Sequence, residues 1–394
     1  MQRIDFNWII SRTVILIPPV VLLTYLVKIV YGVTNGTFGQ THSDFLYYRV
    51  ASSLVLEGNA SIIYDFSAFL GILEQRTGNP FPVAWFYPPI YIFMVWPLSL
   101  LPYNASLFIW FLIPLSGLIT VVYKIAPNPR TILICIAFPA TLINLDYGQN
   151  GLISAVLLGW GLFLLDRRPA SAGIFLGLLS YKPQLAVLIP LALIASHNWR
   201  ALTSAFVTFA SFSILSVIFF GYETWTGFYN NITSAGEVLQ QGSQGFIQNW
   251  AIMITPYSLA RLLDLPPAIS YLIQGLSMLS VSVVTYWVWS RYKSVPLRNS
   301  VLVICTLMFT PHAFEYDSVI LALPMAWIAW EGYTKHWLRG EKVFLIIIWL
   351  SLLLSKVVIK FADFQIIPLI IGLFLFLAIR RLLLESKVEA LNSL

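Results

Sequence analysis

The chain has 394 residues, of which 58% are hydrophobic and only 10% are charged, and its formal net charge is +6. Soluble domains carry about 25% charged residues, so this composition excludes an ordinary soluble protein and indicates an integral membrane protein. The basic residues form short clusters between apolar runs rather than one patch, which argues against nucleic-acid binding. Cys135 and Cys305 both lie inside apolar runs and provide no disulfide framework.

The first apolar run, at residues 8–31, is long enough to cross a bilayer. Arg3 and Arg12 lie at its start, and basic residues are retained on the cytoplasmic side, so we expect a cytoplasmic amino terminus. No small-residue cleavage site follows the run, which favours a retained span over a signal peptide. Residues 32–84 then form a long first extracytoplasmic loop.

This first loop and the run that follows it are less regular than the rest of the chain. The apolar spacing at residues 51–56 and 66–73 predicts short amphipathic helices on the membrane surface. The next apolar run, at 86–101, is short and contains Pro88 and Pro89 near its start. We therefore predict a broken or re-entrant segment there.

Further apolar runs lie at residues 107–123, 131–145, 151–165, 171–180, 184–196, 201–221, 268–290, 299–310, 317–334, 343–360 and 366–379. Short basic clusters separate several of these runs and follow the last one, which places those clusters and both termini in the cytoplasm. The sequence therefore predicts an all-α polytopic membrane protein with one domain over residues 1–394 and about 12 transmembrane helices. Residues 222–267 form its second large extracytoplasmic loop.

The candidate catalytic residue is Asp44, the first acid after the first apolar run, in the stretch Ser43-Asp44-Phe45-Leu46-Tyr47-Tyr48-Arg49. It lies where the chain leaves the bilayer on the predicted outer face, which is a suitable place for the base of a membrane enzyme. The alternative is an ordinary solvated acid that caps a helix.

Lys182 has apolar sequence on both sides, in Leu178-Leu179-Ser180-Tyr181-Lys182-Pro183-Gln184-Leu185. An ammonium group in such a segment needs an anionic partner or an aqueous cavity, so Lys182 is a candidate for binding a phosphate, together with Arg49. The alternative is a lysine that snorkels to the outer interface.

Other polar residues lie at breaks on the same predicted face. His312 follows a proline and precedes two acids, which makes it a candidate site residue. Gln149 and Asn150 offer neutral hydrogen-bonding groups suited to sugar hydroxyls, and Tyr87 could stack on a sugar or a prenyl chain. The chain has no P-loop, dinucleotide fingerprint, HExxH or Asp-x-Asp motif, so we expect neither a nucleotide donor nor a metal or other cofactor.

Taken in order, these motifs resemble the GT-C membrane glycosyltransferases, and most closely glycosyltransferase family 87, the polyprenol-phosphate-mannose-dependent mannosyltransferases. The resemblance covers about residues 1–320 and is carried by Asp44, Tyr87-Pro88-Pro89, Gly148-Gln149-Asn150, Lys182-Pro183-Gln184, Pro311-His312 and Tyr316-Asp317. It implies a GT-C-like helical bundle that transfers a sugar, expected to be mannose, from a polyprenyl-phosphate donor with inversion.

The resemblance also implies roles for the residues and partners. Asp44 is the general base, and Lys182, with His312 or Arg49, neutralises the departing phosphate. Gln149, Asn150, Tyr87 and Gln184 are assigned to sugar or acceptor binding. The expected partners are the lipid-linked donor, a glycolipid or glycan acceptor and membrane lipids. Two other interpretations remain: a transporter or flippase of a polyprenyl-linked glycan, for which repeat symmetry between the halves is missing, and a structural assembly subunit.

Overall fold

The computed structural model describes residues 6–35, 43–78, 85–241, 250–362 and 364–392, and these residues form helices joined by short turns. The α-helices are α1 Phe6–Thr34, α2 Ser43–Leu56, α3 Phe66–Thr77, α4 Ile92–Val95, α5 Tyr103–Ile125, α6 Pro129–Ile136, α7 Pro139–Tyr147, α8 Gly151–Leu164, α9 Pro169–Leu178, α10 Pro183–Ala186, α11 Leu188–Ala195, α12 Trp199–Phe220, α13 Glu223–Gln241, α14 Pro256–Leu262, α15 Pro267–Arg291, α16 Val295–Phe309, α17 Ala322–Thr334, α18 Glu341–Ala362 and α19 Ile367–Asn392. The 3₁₀ helices are Ala60–Tyr64, Pro89–Tyr91, Trp96–Leu100, Leu179–Tyr181 and Glu315–Leu321.

Five of the described helices are long and apolar enough to cross a membrane: α5, α12, α15, α18 and the Ile367–Val388 part of α19. A sixth span results if α6 and α7, which are bent by 47° relative to each other, are counted together. α1 is 29 residues long, and its Leu16–Gly32 part is apolar. The remaining apolar helices of the described residues have 10–17 residues each. The structure therefore supports a polytopic membrane protein, but the larger number of crossings predicted from the sequence is not confirmed.

Proline accounts for most of the interruptions. Pro139 stands at the first position of α7 and divides the apolar run at 131–145 into α6 and α7. Pro183 likewise begins α10 directly after Lys182. The predicted broken segment at 86–101 is a succession of 3₁₀ helix, α4 and 3₁₀ helix that starts at Pro89.

The first predicted loop, residues 32–84, contains more helix than its predicted short elements. The predicted helix at 51–56 is the second half of α2, and that at 66–73 is most of α3. The second loop, 222–267, contains α13 and α14, and residues 242–249 lie outside the described residues. A long irregular loop is therefore not confirmed in either region.

Close packing of α9 against α12 directs the chain toward Lys182. A Cβ atom on Gly177 would lie 2.5 Å from the carbonyl oxygen of Ala205, so only glycine allows the two backbones to approach this closely. Buried side chains of α5, α8 and α16 continue the same apolar core. This core holds the short turns that carry the polar residues.

Candidate active site

Asp44 lies in the first turn of α2, where the helix dipole favours a negative charge. The aromatic residues that follow anchor this turn, because Phe45 is fully buried and packs edge-on against Tyr103 with ring centroids 5.4 Å apart. The Asp44 side chain is partly buried, and its Oδ2 accepts a hydrogen bond from Gln149 Nε2 at 2.9 Å. The two residues are 105 positions apart in the chain, so the contact depends on tertiary packing.

The turn between α7 and α8 presents Gln149 to Asp44. Gly148 ends α7 in the left-handed conformation, with φ of +71°, and an added Cβ there would lie 2.6 Å from Phe45 Cβ. Trp110 Nε1 donates to the Gly148 carbonyl at 2.9 Å and fixes the turn from the α5 side. Glycine at this position therefore allows the start of α2 to sit directly on the turn.

Gln149 and Asn150 continue into a buried hydrogen-bond network. Gln149 Oε1 accepts from Tyr48 OH at 2.8 Å and from the backbone N–H of Asn150 at 3.2 Å. Asn150 Nδ2 donates to Tyr48 OH at 3.2 Å and to Tyr91 OH at 3.1 Å. Each amide side chain thus has at least two partners within the protein.

Lys182 lies at the other end of this network and is almost completely buried, with 3% of its side chain exposed. Its Nζ contacts Asp317 Oδ1 at 2.5 Å and Asn150 Oδ1 at 3.1 Å, and it lies 5.2 Å from the centre of the Tyr316 ring. This burial excludes the interpretation in which Lys182 snorkels to the interface. The anionic partner that the sequence required is Asp317, which also accepts from the Phe314 backbone N–H at 3.1 Å. We call the connected side chains the Asp44 network: Asp44, Tyr48, Gln149, Asn150, Lys182 and Asp317.

Burial raises the pKa of Asp44 to about 6. The hydrogen bond from Gln149 and the charge of Lys182 act in the opposite direction and lower the pKa, but desolvation is the larger effect. A carboxyl group with this pKa is ionised near neutral pH and retains enough basicity to accept a proton from a hydroxyl group. The environment therefore suits a general base better than a solvated helix cap.

The chain from His312 to Asp317 borders the network. His312 is exposed, and the protein around it lowers the pKa of the imidazole by desolvation. Glu315 is 3% exposed, its Oε2 lies 3.9 Å from Lys356 Nζ, and burial raises the pKa of Glu315 to about 7. Backbone hydrogen bonds from Ile254 to Ala313 and from Glu315 to Ile252 hold this segment.

The remaining predicted residues occupy different surroundings. Tyr87 joins the network through its hydroxyl, which lies 2.9 Å from Tyr48 OH, and its half-buried ring faces the same region. Gln184 is half-buried in α10, next to Lys182 in the chain. Arg49 is one helical turn beyond Phe45, and its Nη1 donates to the carbonyl oxygens of Leu98 and Leu101 and to Ser106 Oγ at 2.7, 2.8 and 2.9 Å.

The contacts of Arg49 Nη1 hold the turn before α5. The role of Arg49 in phosphate binding stays a prediction. Two network members, Tyr48 and Asp317, were not assigned as site residues from the sequence. Tyr48 follows Asp44 by four positions, and this spacing on a helix was a usable signal. In the part of the chain that the structure describes, no group of three His, Cys, Asp or Glu side chains could hold a metal ion.

Comparison with known proteins gives one match. The family model described as Glycosyltransferase family 87 matches residues 85–311 of this chain, which is more than half of its length. Searches of curated proteins and of solved structures gave no significant match. The matched region contains Gln149, Asn150 and Lys182, whereas Asp44 precedes it and His312 follows it directly.

Proposed function

The chain belongs to glycosyltransferase family 87, and on this premise we propose that it transfers a sugar, mannose, from a polyprenyl-phosphate donor to a lipid or glycan acceptor. Its several apolar helices are consistent with an integral membrane enzyme. Basic clusters between apolar runs are typical of the cytoplasmic side of a membrane protein. We therefore place both termini in the cytoplasm and the site on the extracytoplasmic face.

The observation that supports this function best is the environment of Asp44. Its carboxylate is desolvated enough to have a pKa of about 6, yet it is held by Gln149 Nε2 and lies within the field of Lys182. A hydroxyl acceptor is a weak nucleophile at neutral pH, so its attack on a sugar requires a positioned base. Asp44 has the charge, basicity and fixed orientation that such a base needs.

In the proposed reaction, Asp44 removes the proton from the acceptor hydroxyl as its oxygen attacks the anomeric carbon. The bond between that carbon and the phosphate oxygen breaks in line, and the polyprenyl phosphate leaves with the bonding electron pair. One displacement inverts the anomeric configuration. The proton ends on Asp44 and is released to solvent after product departure.

The leaving phosphate gains negative charge as the bond breaks, so cationic or donor groups nearby stabilise the transition state. We assign direct contact to His312, whose exposed side chain can reach a ligand. Lys182 contributes its positive charge from within the protein, partly neutralised by Asp317. Tyr87 and Gln184, both half-buried, are assigned to the sugar or the acceptor.

The test is a transfer assay with the purified full-length protein in detergent or vesicles. A short-chain polyprenyl-phosphate mannose and a panel of lipid and glycan acceptors are incubated with it, and the product is identified by mass spectrometry and its linkage by NMR. We expect mannose transfer with inverted configuration. Movement of the intact lipid-linked sugar across a vesicle bilayer without transfer would instead support the flippase interpretation.

A further inference from the structure

The hydrogen bonds of the Asp44 network have a defined direction. An ammonium group has only donors, so Asn150 Oδ1, 3.1 Å from Lys182 Nζ, must accept. The Asn150 Nδ2 group then donates to Tyr48 OH at 3.2 Å. The Tyr48 hydroxyl, with that acceptor position filled, donates its own proton to Gln149 Oε1 at 2.8 Å.

The direction of the hydrogen bond between Gln149 and Asp44 follows from the contacts of Gln149 Oε1. Gln149 Oε1 is an acceptor for Tyr48 OH and for the Asn150 backbone N–H, so Gln149 Nε2 is the atom that faces Asp44. Tyr87 OH, 2.9 Å from Tyr48 OH, can occupy the remaining acceptor position of that hydroxyl. Every bond from Lys182 to Asp44 therefore donates toward the carboxylate.

We propose that Gln149, Tyr48 and Asn150 are positioning residues that transmit the polarity of the buried Lys182 ammonium to Asp44. They hold Oδ2 as a hydrogen-bond acceptor and so favour the ionised form, while Oδ1 is the atom assigned to the acceptor's proton. This inference rests on the proposed function, because it explains how the base of that reaction is kept ionised and oriented.

Hydrogen bonds in such a chain polarise one another in a low-dielectric interior, so a neutral amide or phenol can carry the influence of a charge it does not bear. Lys182 itself is held by Asp317, which fixes the ammonium at the start of the chain. A lysine placed directly against Asp44 would form an ion pair and remove its basicity. The neutral side chains of Asn150, Tyr48 and Gln149 keep Lys182 away from Asp44 and so preserve the basicity of the carboxylate.

The titratable and charged groups that face Asp44 determine which other ionisations occur in the pH range where Asp44 titrates. They are Lys182 and the phenols of Tyr47, Tyr48, Tyr87, Tyr147 and Tyr316. Burial raises the pKa of the phenols of Tyr47, Tyr48 and Tyr316 well above the ordinary value, so they stay neutral at physiological pH. Glu315, with a pKa of about 7, and His312, whose pKa is lowered by desolvation, are the nearby groups that could add a second ionisation.

The experiment is the pH dependence of kcat/KM for Gln149→Met in the full-length protein, with the short-chain mannosyl donor and the acceptor that the transfer assay selects. Activity of the natural chain should rise with pH through the pKa of Asp44, because only the carboxylate accepts a proton. Loss of a hydrogen bond to a charged group should raise that pKa by about one to two units. Gln149→Met should therefore be impaired most below pH 7 and recover most of its activity near pH 9.

Two further variants accompany it. Tyr48→Phe keeps the packed ring, removes only the hydroxyl, and should shift the profile in the same direction by a smaller amount. It also keeps the inference testable if Gln149→Met fails to fold. Gln274→Met is the matched control, because Gln274 is also a buried amide, with hydrogen bonds to Met308 and Phe309 carbonyls at 3.2 and 3.0 Å. It should lower stability without moving the pH profile.

The outcomes separate this inference from the function on which it rests. An equal loss of activity at every pH in Gln149→Met, with an unmoved profile, would overturn the positioning role while leaving the base in place. A normal turnover of Asp44→Asn would overturn the base itself. Glu315→Gln should retain the Asp44 ionisation, and its disappearance in that variant would assign the titration to Glu315 and also overturn the inference.

Discussion

Two networks of buried charges lie in different parts of the molecule and are built differently. In the Asp44 network Lys182 and Asp317 touch directly, but two amides and a phenol separate this pair from Asp44. In the second, which we call the Arg381 network, cations and carboxylates touch directly across α17, α18 and α19. Its members are Glu331, Lys335, Glu341, Arg381 and Glu385.

Direct pairing makes the Arg381 network rigid. Arg381 is fully buried and contacts Glu341 at 2.6 Å, Glu385 at 2.7 Å and the His336 carbonyl at 3.1 Å. These contacts hold three helices together. Asp44, in contrast, is only partly buried and has a pKa near the working range. The comparison indicates that one network fixes the fold and that the other keeps a titratable group available.

The largest expected effect comes from Asp44→Asn. This change preserves the shape and removes the basicity, so turnover should fall by about 10² to 10⁴ with saturating donor and acceptor. Thermal stability should stay close to that of the natural protein, since asparagine can still accept from Gln149 Nε2. Turnover is measured by product formation. Asp65→Asn is the control, and near-normal activity of Asp44→Asn would show that the base is another acid.

Arg381→Met should affect stability rather than chemistry. It leaves the Glu341 and Glu385 carboxylates buried without their guanidinium partner, which costs about 3 to 5 kcal/mol. Thermal unfolding in detergent measures the loss, and turnover per folded molecule should be unchanged. Arg380→Met is a matched control, because Arg380 donates to one backbone carbonyl, that of Arg339, at 3.0 Å. Equal stability of the two variants would contradict a structural role for the network.

Lys182→Met should lower both the stability and the turnover. Asp317 would remain buried without its cation, which should cost about 3 kcal/mol of stability. This is the lower end of the cost of breaking a buried ion pair, because the Phe314 N–H still donates to one carboxylate oxygen. Adding Asp317→Asn should restore most of the stability but not the activity, since the charge is still missing. Activity restored together with stability would mean that Lys182 serves only the fold.

The sequence singled out individual residues, but it could not indicate the partners of those residues. The apolar runs indicated helices, and the prolines within them indicated breaks. Asp44 and Lys182 were selected because charged residues are rare beside apolar segments. The buried Lys182–Asp317 pair joins residues 135 positions apart, which tertiary packing alone determines. The contacts of Arg49 Nη1 could not be predicted for the same reason, because a hydrogen bond to a backbone carbonyl does not depend on the residue type of the partner.

The acids on the predicted outer face also could not be told apart from the sequence. Asp146 forms an ion pair with Lys28, Asp317 forms one with Lys182, and Asp65 caps a helix. Asp317 is therefore unsuitable as a neutral control for Asp44, since changing it disturbs the same network. Asp65 remains suitable.

The smallest expected effect is that of Asp65→Ala. Asp65 is the N-cap of α3, with extended backbone angles, and its Oδ1 accepts from the Ala68 N–H at 3.0 Å. Loss of such a cap costs about 1 kcal/mol, because one backbone donor at the helix start loses its partner. Asp65→Asn should cost less, since asparagine caps helices almost as well. Turnover should be unaffected in both, and a large loss of activity in Asp65→Asn would show that acids outside the Asp44 network also take part in the reaction.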